Sequence, residues 1–413
     1  MGTGDGILIT WRETPRAAKA LLLGVFVNRL AGFIQIFLVL FLTHRGFSVG
    51  QAGLALGVYG VGAVLGTFVG GSLSDRLDPR NATLISMMGS AVLIVSILYL
   101  PSYPLLLLAV LLVSTVGMLY RPAAQAMITE LTPPARLVMV TAMYRLALNL
   151  GTTAAPLVGA ALVAGSYNLL FWGEALAALT YGLIALVALP RRAATAGPAG
   201  TESAPAPAPA RGTGYLAMLA DWRYLVFLVS VFLLAAVYCQ YTATLPLAIT
   251  EAGLSLWWYG AVVSLNGFIV ITCELLMTKF VQGWPLWVRP FVGSGFITVG
   301  YALYAIGMIP AVLIIATLVW SIAETIGAPT AFAYPGIAAP EHLRGRYIGA
   351  MQSLFGLGAA VGPIVGILLW NRVGQAVWLW IGLAGALATI TAAIGIRTPS
   401  ARPTAEPVPA PVG

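Results

Sequence analysis

The chain has 413 residues, of which 60% are hydrophobic and 8% charged, and its formal net charge is +8. A soluble globular protein carries about 25% charged residues, so this composition excludes a water-facing surface and requires one that faces lipid. The basic excess does not point to nucleic acid, because the arginines and lysines are scattered through short loops rather than gathered on one face.

Apolar runs of the length that spans a bilayer, about 20 residues, recur twelve times. In chain order the predicted spans are 17–42, 50–73, 82–100, 104–128, 138–163, 169–190, 222–248, 257–280, 290–308, 311–335, 347–371 and 375–395. Residues 1–16 form an N-terminal segment, and the run after Lys19 is too long for the apolar part of a cleavable signal peptide. Six spans precede residues 191–221 and six follow. That stretch contains Ala204-Pro205-Ala206-Pro207-Ala208-Pro209-Ala210, which favours extended geometry and has nothing to bury. It is predicted to link two six-helix halves, 17–190 and 222–396. The Pro/Ala-rich tail 397–413 is predicted to be disordered.

The halves repeat. Gly151-Thr-Thr-Ala-Ala-Pro156-Leu-Val-Gly159 is matched by Gly358-Ala-Ala-Val-Gly-Pro363-Ile-Val-Gly366, and 363 − 156 = 207. Pro122 and Pro329 are paired by the same offset. Two similar membrane halves suggest a site between them, since such halves can rock about a shared centre. With the N-terminus in the cytoplasm, sixteen basic residues lie at cytoplasmic ends and loops, and only Arg45 and Arg372 lie outside. This satisfies the positive-inside rule with an even number of spans and both termini cytoplasmic.

Several chemistries are excluded. Cys239 and Cys273 sit inside apolar segments and offer no disulfide framework. His44 and His342 are far apart, so no metal-ligand spacing exists. The loops hold no Asp-rich motif or nucleophile–base pair for a membrane transferase, and no catalytic residue, metal or cofactor is expected.

The loop after the second span reads Gly71-Ser72-Leu73-Ser74-Asp75-Arg76-Leu77-Asp78-Pro79-Arg80. It resembles the signature of the major facilitator superfamily: Gly, three residues, Asp-Arg, one residue, Gly, then two basic residues. Asp78 replaces the second Gly and Pro79 one basic residue. The loop Pro340-Glu341-His342-Leu343-Arg344-Gly345-Arg346-Tyr347-Ile348-Gly349 resembles a second family motif. Gly151, Pro156 and Gly159 resemble the helix motif of the antiporter, or drug-efflux, branch, with Ala155 in place of its middle Gly; generic helix packing is the bland alternative. The resemblance implies an all-α membrane fold of twelve helices in two pseudo-symmetric six-helix bundles. It also implies that Gly71, Asp75, Arg76 and Arg80 latch the halves, with Asp75 on the N-terminal end of the eleventh helix near Tyr347 to Gly349 in the outward-facing state. Otherwise these charges are solvated loop residues.

Charges inside spans are expensive, roughly 2.5–3.5 kcal/mol each at mid-bilayer, and are functional candidates by default. Arg29, with Asn28 and Gln35 near it, and Glu324 fall near mid-depth on helices that, by the resemblance, line a central cavity. A structural polar contact is the equal alternative. Glu174 lies near an outer end, where it can reach water. Arg145 and Glu274 lie 7 and 6 residues inside predicted helix ends, about 10 Å deep, on helices expected to meet across the halves. Glu274 is expected to pair with Arg145 or, as second choice, with Arg121.

The expected activity is secondary transport by alternating access: proton-coupled efflux of a small amphipathic organic compound across the cell's inner (plasma) membrane. The implied partners are that substrate and the lipid bilayer; the proton gradient supplies the driving force, no nucleic acid is involved, and a monomer suffices. The alternatives are a metabolite or sugar uptake permease of the same fold and a non-transporting receptor or scaffold.

Overall fold

The computed structural model describes residues 7–191, 214–255 and 257–396. Regular structure among them is entirely helical. Ten apolar helical runs are long enough to cross a bilayer. One of them, Glu341–Gly395, holds two spans, Arg344–Val373 and Val377–Gly395, divided at Gly374 with φ 53°. The helix Val288–Leu303 adds another. It rises about 24 Å, and the 3-10 turn Tyr304–Ile306 adds about 6 Å, together the thickness of the hydrocarbon core.

The spans in chain order are Arg16–His44, Val49–Leu77, Pro79–Ser96, Tyr103–Leu131, Leu137–Gly165, Asn168–Ala188, Trp222–Glu251, Trp257–Phe280, Val288–Leu303, Pro310–Ala338, Arg344–Val373 and Val377–Gly395. The sixth span ends and the seventh begins on one face, called here the linker face; the opposite face is the far face. Within the predicted linker, Gly214–Ala220 is helical, and residues 192–213 lie outside the described residues. Ile7–Glu13 is a short helix ahead of the first span. The tail 397–413 also lies outside the described residues.

Three spans are interrupted where continuous helices were predicted. The first breaks between Leu30 and Phe33, and Glu174 of the sixth span accepts a hydrogen bond from Ile34 N at 2.7 Å, capping the second piece. Glu174 is therefore turned inward rather than out to water. The fourth span breaks after Met118, four residues before Pro122, where the proline ring meets a preceding carbonyl. The seventh, the counterpart of the first, breaks at Cys239–Tyr241.

Two bundles of six spans follow, each with its own core. Tyr120, Tyr144, Tyr181 and Phe171 fill the first; Tyr301, Tyr304, Trp320 and Trp378 fill the second. Pro156 and Pro363 each lie 19 residues from the start of their helix (156 − 137 and 363 − 344). The glycine stripes around them do equivalent work. A Cβ on Gly151 would lie 2.6 Å from Arg29 Cβ, so the fifth span packs backbone-close on the first. Gly362, the equivalent of Ala155, holds the eleventh span against Ala236 of the seventh in the same way. The axis relating the bundles passes between the fourth and tenth spans. There Gln125 Nε2 donates to Phe332 O at 2.7 Å and Thr129 packs on Gly336, and each pair is separated by 207 residues. Only near such an axis can a residue touch its own counterpart. Outward-facing side chains such as Val187, Leu157 and Val92, each more than two-thirds exposed, form the lipid-facing surface.

Asp78, which stands where the resemblance places a glycine, has φ 84° and ψ 137° and is the one non-glycine residue with positive φ among those described. That conformation suits glycine, and other residues pay roughly 1–3 kcal/mol for it. Asp78→Gly is therefore expected to melt no lower than the parent in detergent, whereas Asp78→Val, β-branched, loses stability within that range. Equal melting of the two variants would mean the backbone there is unstrained.

Candidate functional site

The eighth span buries one stripe: Val262, Asn266, Ile269, Val270, Glu274 and Thr278. This helical spacing aims Glu274 and Asn266, two turns apart, at the same neighbours. Facing them across the bundle interface is Arg145 of the fifth span. Arg145 Nε donates to Glu274 Oε1 at 2.5 Å, and its Nη2 donates to Glu324 Oε1 of the tenth span at 3.0 Å. The other Glu324 oxygen accepts from Tyr238 Oη at 3.1 Å and from Asn266 Nδ2 at 3.3 Å. The guanidinium also lies 5.0 Å from the Phe332 ring centre. Glu274 is completely buried, and its second oxygen has no hydrogen-bond partner. One cation from the first bundle is thus shared by two carboxylates from the second.

The expected pairing of Glu274 with Arg145 is present, and Arg121 is not part of it. Glu324 joins Arg145 rather than sharing a cavity with Arg29. Behind the cluster, a cavity of about 80 Å³ is lined by Arg145, Tyr238, Glu324 and Phe332 among others. That is room for a few waters, well below the roughly 300–1,000 Å³ that buries a drug-sized ligand.

A second polar pocket, about 40 Å³, lies within the first bundle, with Arg29, Gln35, Tyr59, Tyr120 and Glu174 on its wall. Arg121 is close by: it and Arg29 interact electrostatically with each other and with Tyr59, Tyr120 and Tyr144. Both arginines are half-buried, and neither forms an ion pair among the described residues.

The linker face is closed by the second and eleventh spans. Asp75 Oδ1 accepts from Gly345 N at 2.6 Å, and Oδ2 accepts from Arg346 N at 3.0 Å. These are free amides of the first turn of Arg344–Val373, so a carboxylate of one bundle caps a helix of the other. The contact falls just before the expected Tyr347 to Gly349, because the helix begins at Arg344 and its unsatisfied amides come first. A Cβ on Gly71 would meet Gly345 O at 2.5 Å, so Gly71 is what permits the approach. Thr67 Oγ1 and Ser353 Oγ, 3.0 Å apart, extend the seam inward. Arg76 is exposed. Arg80 does not join this latch: it is buried and donates to Ala185 O at 3.2 Å and Leu186 O at 2.6 Å, holding the end of the sixth span. Its charge meets the negative end of that helix.

The sequence reading missed Asn266, Tyr238 and Gln125. Asn266 carried a signal, a lone amide two turns from Glu274 in an apolar helix; Tyr238 resembled any other aromatic in a span.

The sequence pattern of the Major Facilitator Superfamily matches residues 21–363. The MFS-type transporter YqjV of Bacillus subtilis (strain 168) is 21% identical over 383 residues, covering 91% of this chain and 92% of the relative. A Na(+), Li(+), K(+)/H(+) antiporter of Planococcus maritimus is 24% identical over 415 residues, covering 92% and 95%. Among solved structures, a bacterial homologue of the iron transporter ferroportin in its outward-facing state superposes with a TM-score of 0.73 at 14% identity, over 91% of this chain and 98% of that one. With this pattern running through both six-helix bundles, the chain belongs to the major facilitator superfamily of membrane transporters.

Proposed function

We propose that the chain couples proton entry to the efflux of a small amphipathic organic compound by alternating access. The observation that carries this reading is Glu274, buried, with one oxygen on Arg145 and the other without a partner, at the contact joining the two bundles. A proton on the free oxygen removes one of the two negative charges that hold Arg145. The ionic contact between bundles weakens at the face it closes. The excess of sixteen basic residues to two supports a cytoplasmic linker face. A proton arriving from the far side then favours opening toward the cytoplasm, where it leaves and substrate enters. Reionised Glu274 recaptures Arg145, closes the linker face and turns the substrate outward.

The cross-bundle contacts of Thr67 with Ser353, Asp75 with Gly345, Gln125 with Phe332 and Arg145 with Glu274 all lie in the linker-side half of their helices, with Glu324 at the midpoint of its span. This is the closed-inside arrangement the cycle requires. The fifth-span motif and the proton-exchanging relative from Planococcus maritimus support antiport. That relative's name favours a second reading, exchange of an alkali cation for protons, which a cluster with two carboxylates and one guanidinium suits by charge.

In reconstituted vesicles, Glu274→Gln is expected to abolish the response of efflux to an imposed pH gradient. Because Glu324 still pairs with Arg145, this variant should melt closer to the parent than Arg145→Gln, which strands two carboxylates. Breaking a buried pair costs about 3–5 kcal/mol. Gradient-driven flux at parental rate in Glu274→Gln refutes the coupling role. Sodium or lithium pulses in the same vesicles separate alkali-cation exchange from efflux of an organic compound.

Asp75→Asn retains one acceptor and loses the charge that meets the helix end. With the native cysteines replaced by serine and Thr67→Cys as reporter, the reporter is expected to react faster with a water-soluble thiol reagent when Asp75→Asn is added, and transport to slow. Unchanged reactivity together with full transport rules out the latch.

A further inference from the structure

The two small pockets share one equivalent stretch of wall, on the third and fourth spans of one bundle and the ninth and tenth of the other. Ser90, Gly117 and Tyr120 of one correspond, at the 207-residue offset, to Ile297, Glu324 and Gly327 of the other. Their electrostatics are opposite. In the second bundle the position carries a carboxylate, Glu324, already matched by Arg145, Tyr238 and Asn266. In the first, its counterpart is Gly117, and the pocket presents the Arg29 guanidinium instead, with Arg121 close by. The acid on this wall, Glu174, is occupied as the cap of Ile34. The Tyr120 hydroxyl, on a side chain only 1% exposed, lies beside Arg29 yet has no hydrogen bond of good geometry. Two cations against one committed carboxylate leave a net positive charge beside an unused buried hydroxyl, inside a hydrocarbon-thick layer where uncompensated charge is expensive.

We infer that the pocket of Arg29, Gln35 and Tyr120 receives the anionic group of the transported compound, so that the cargo is an organic anion, a carboxylate or other singly charged oxyanion. The ligand supplies the acceptor that Glu324 supplies in the other bundle. Arg29 donates charge-assisted hydrogen bonds to the head group, and the Tyr120 hydroxyl donates a further one. The pocket, about 40 Å³, admits a head group of a few heavy atoms and not an aromatic body. The body of the compound must remain outside it, which fits an amphipathic cargo. This inference rests on the transport reading only in calling the anion cargo; binding at the pocket does not require proton coupling.

The test is equilibrium binding to the full chain in phosphatidylcholine nanodiscs without any gradient, so loss of coupling cannot mimic loss of the site. The probes are a series from acetate through octanoate to 2-naphthoate, with octanamide and 2-naphthamide as neutral controls of matched size. A carboxylate is expected to bind and raise the melting temperature, with its amide at least about tenfold weaker, the effect of one charge-assisted hydrogen bond pair. Arg29→Gln should bring carboxylate binding down to the amide level, and Tyr120→Phe should weaken it about threefold. Amides binding as well as carboxylates in the parent protein, or no carboxylate of the series binding, overturns the inference without appeal to any variant. Arg29→Gln that melts like the parent and binds carboxylate unchanged overturns it too. Repeating the titration in phosphatidylglycerol nanodiscs distinguishes the source of the anion. Competition there assigns the pocket to a lipid phosphate, and undiminished binding assigns it to a free organic anion.

Discussion

Arg145 between Glu274 and Glu324 is the contact on which the rest of the arrangement depends. None of the three charges can be left alone at this depth, because removing one partner of a buried pair costs about 3–5 kcal/mol. The arginine comes from the first bundle and both acids from the second, so the charges are satisfied only while the linker-side halves of the spans meet. Separating the bundles there requires either new partners for three charges or a change in their number. Protonating Glu274 makes that change with the smallest rearrangement, since Glu324 remains on Arg145 and is itself held by Tyr238 and Asn266.

The pseudo-symmetry sharpens the asymmetry of charge. Equivalent glycine stripes pack the fifth span on the first and the eleventh on the seventh, so the two bundles share a frame. Within that frame the polar groups do not repeat. The first bundle supplies Arg29, Arg121 and Arg145 with Glu174; the second supplies Glu274 and Glu324. Six membrane-embedded charges sum to zero when all are ionised, three of each sign. They are divided so that the interface cluster is negative and the pocket region of the first bundle positive. In the proposed cycle a proton and an anion would correct these two imbalances, one at each place.

Much of this was legible in the sequence, and the rest was hidden for identifiable reasons. Hydropathy located the twelve spans, because a lipid-facing helix cannot disguise its length. Matched depth paired Arg145 with Glu274. Depth says nothing about azimuth or helix tilt, however, so Glu324, deeper along its own span, was grouped with Arg29 instead. The break after Met118 is implied by Pro122, whereas the break before Phe33 depends on Glu174 reaching it from 140 residues away, which no local pattern encodes. Arg80 was read with its loop neighbours because they share a motif; its guanidinium turns to the sixth span, a choice made by tertiary packing. The inversion of charge between Glu324 and the Arg29 pocket is not encoded in the helix-packing motif, because which side chains line a pocket is decided by tertiary packing.

The latch and the ion cluster differ in strength and therefore in role. A carboxylate on the first turn of a helix contributes about 0.3–2 kcal/mol, depending on burial. That energy biases an equilibrium several-fold without locking it. The Asp75 carboxylate, set on two helix amides with the Arg346 guanidinium 3.8 Å away rather than in direct charge-to-charge hydrogen bonds, belongs at the upper end of this range. A buried pair belongs to the higher one, and a transporter held by it without relief would not turn over, since the minor state must lie within a few kcal/mol of the major one. The stronger contact therefore needs a chemical means of release, and Glu274 has a free oxygen that can take a proton. The weaker one needs none, so in the proposed cycle Asp75 would set how long the inside stays closed and Glu274 whether it opens.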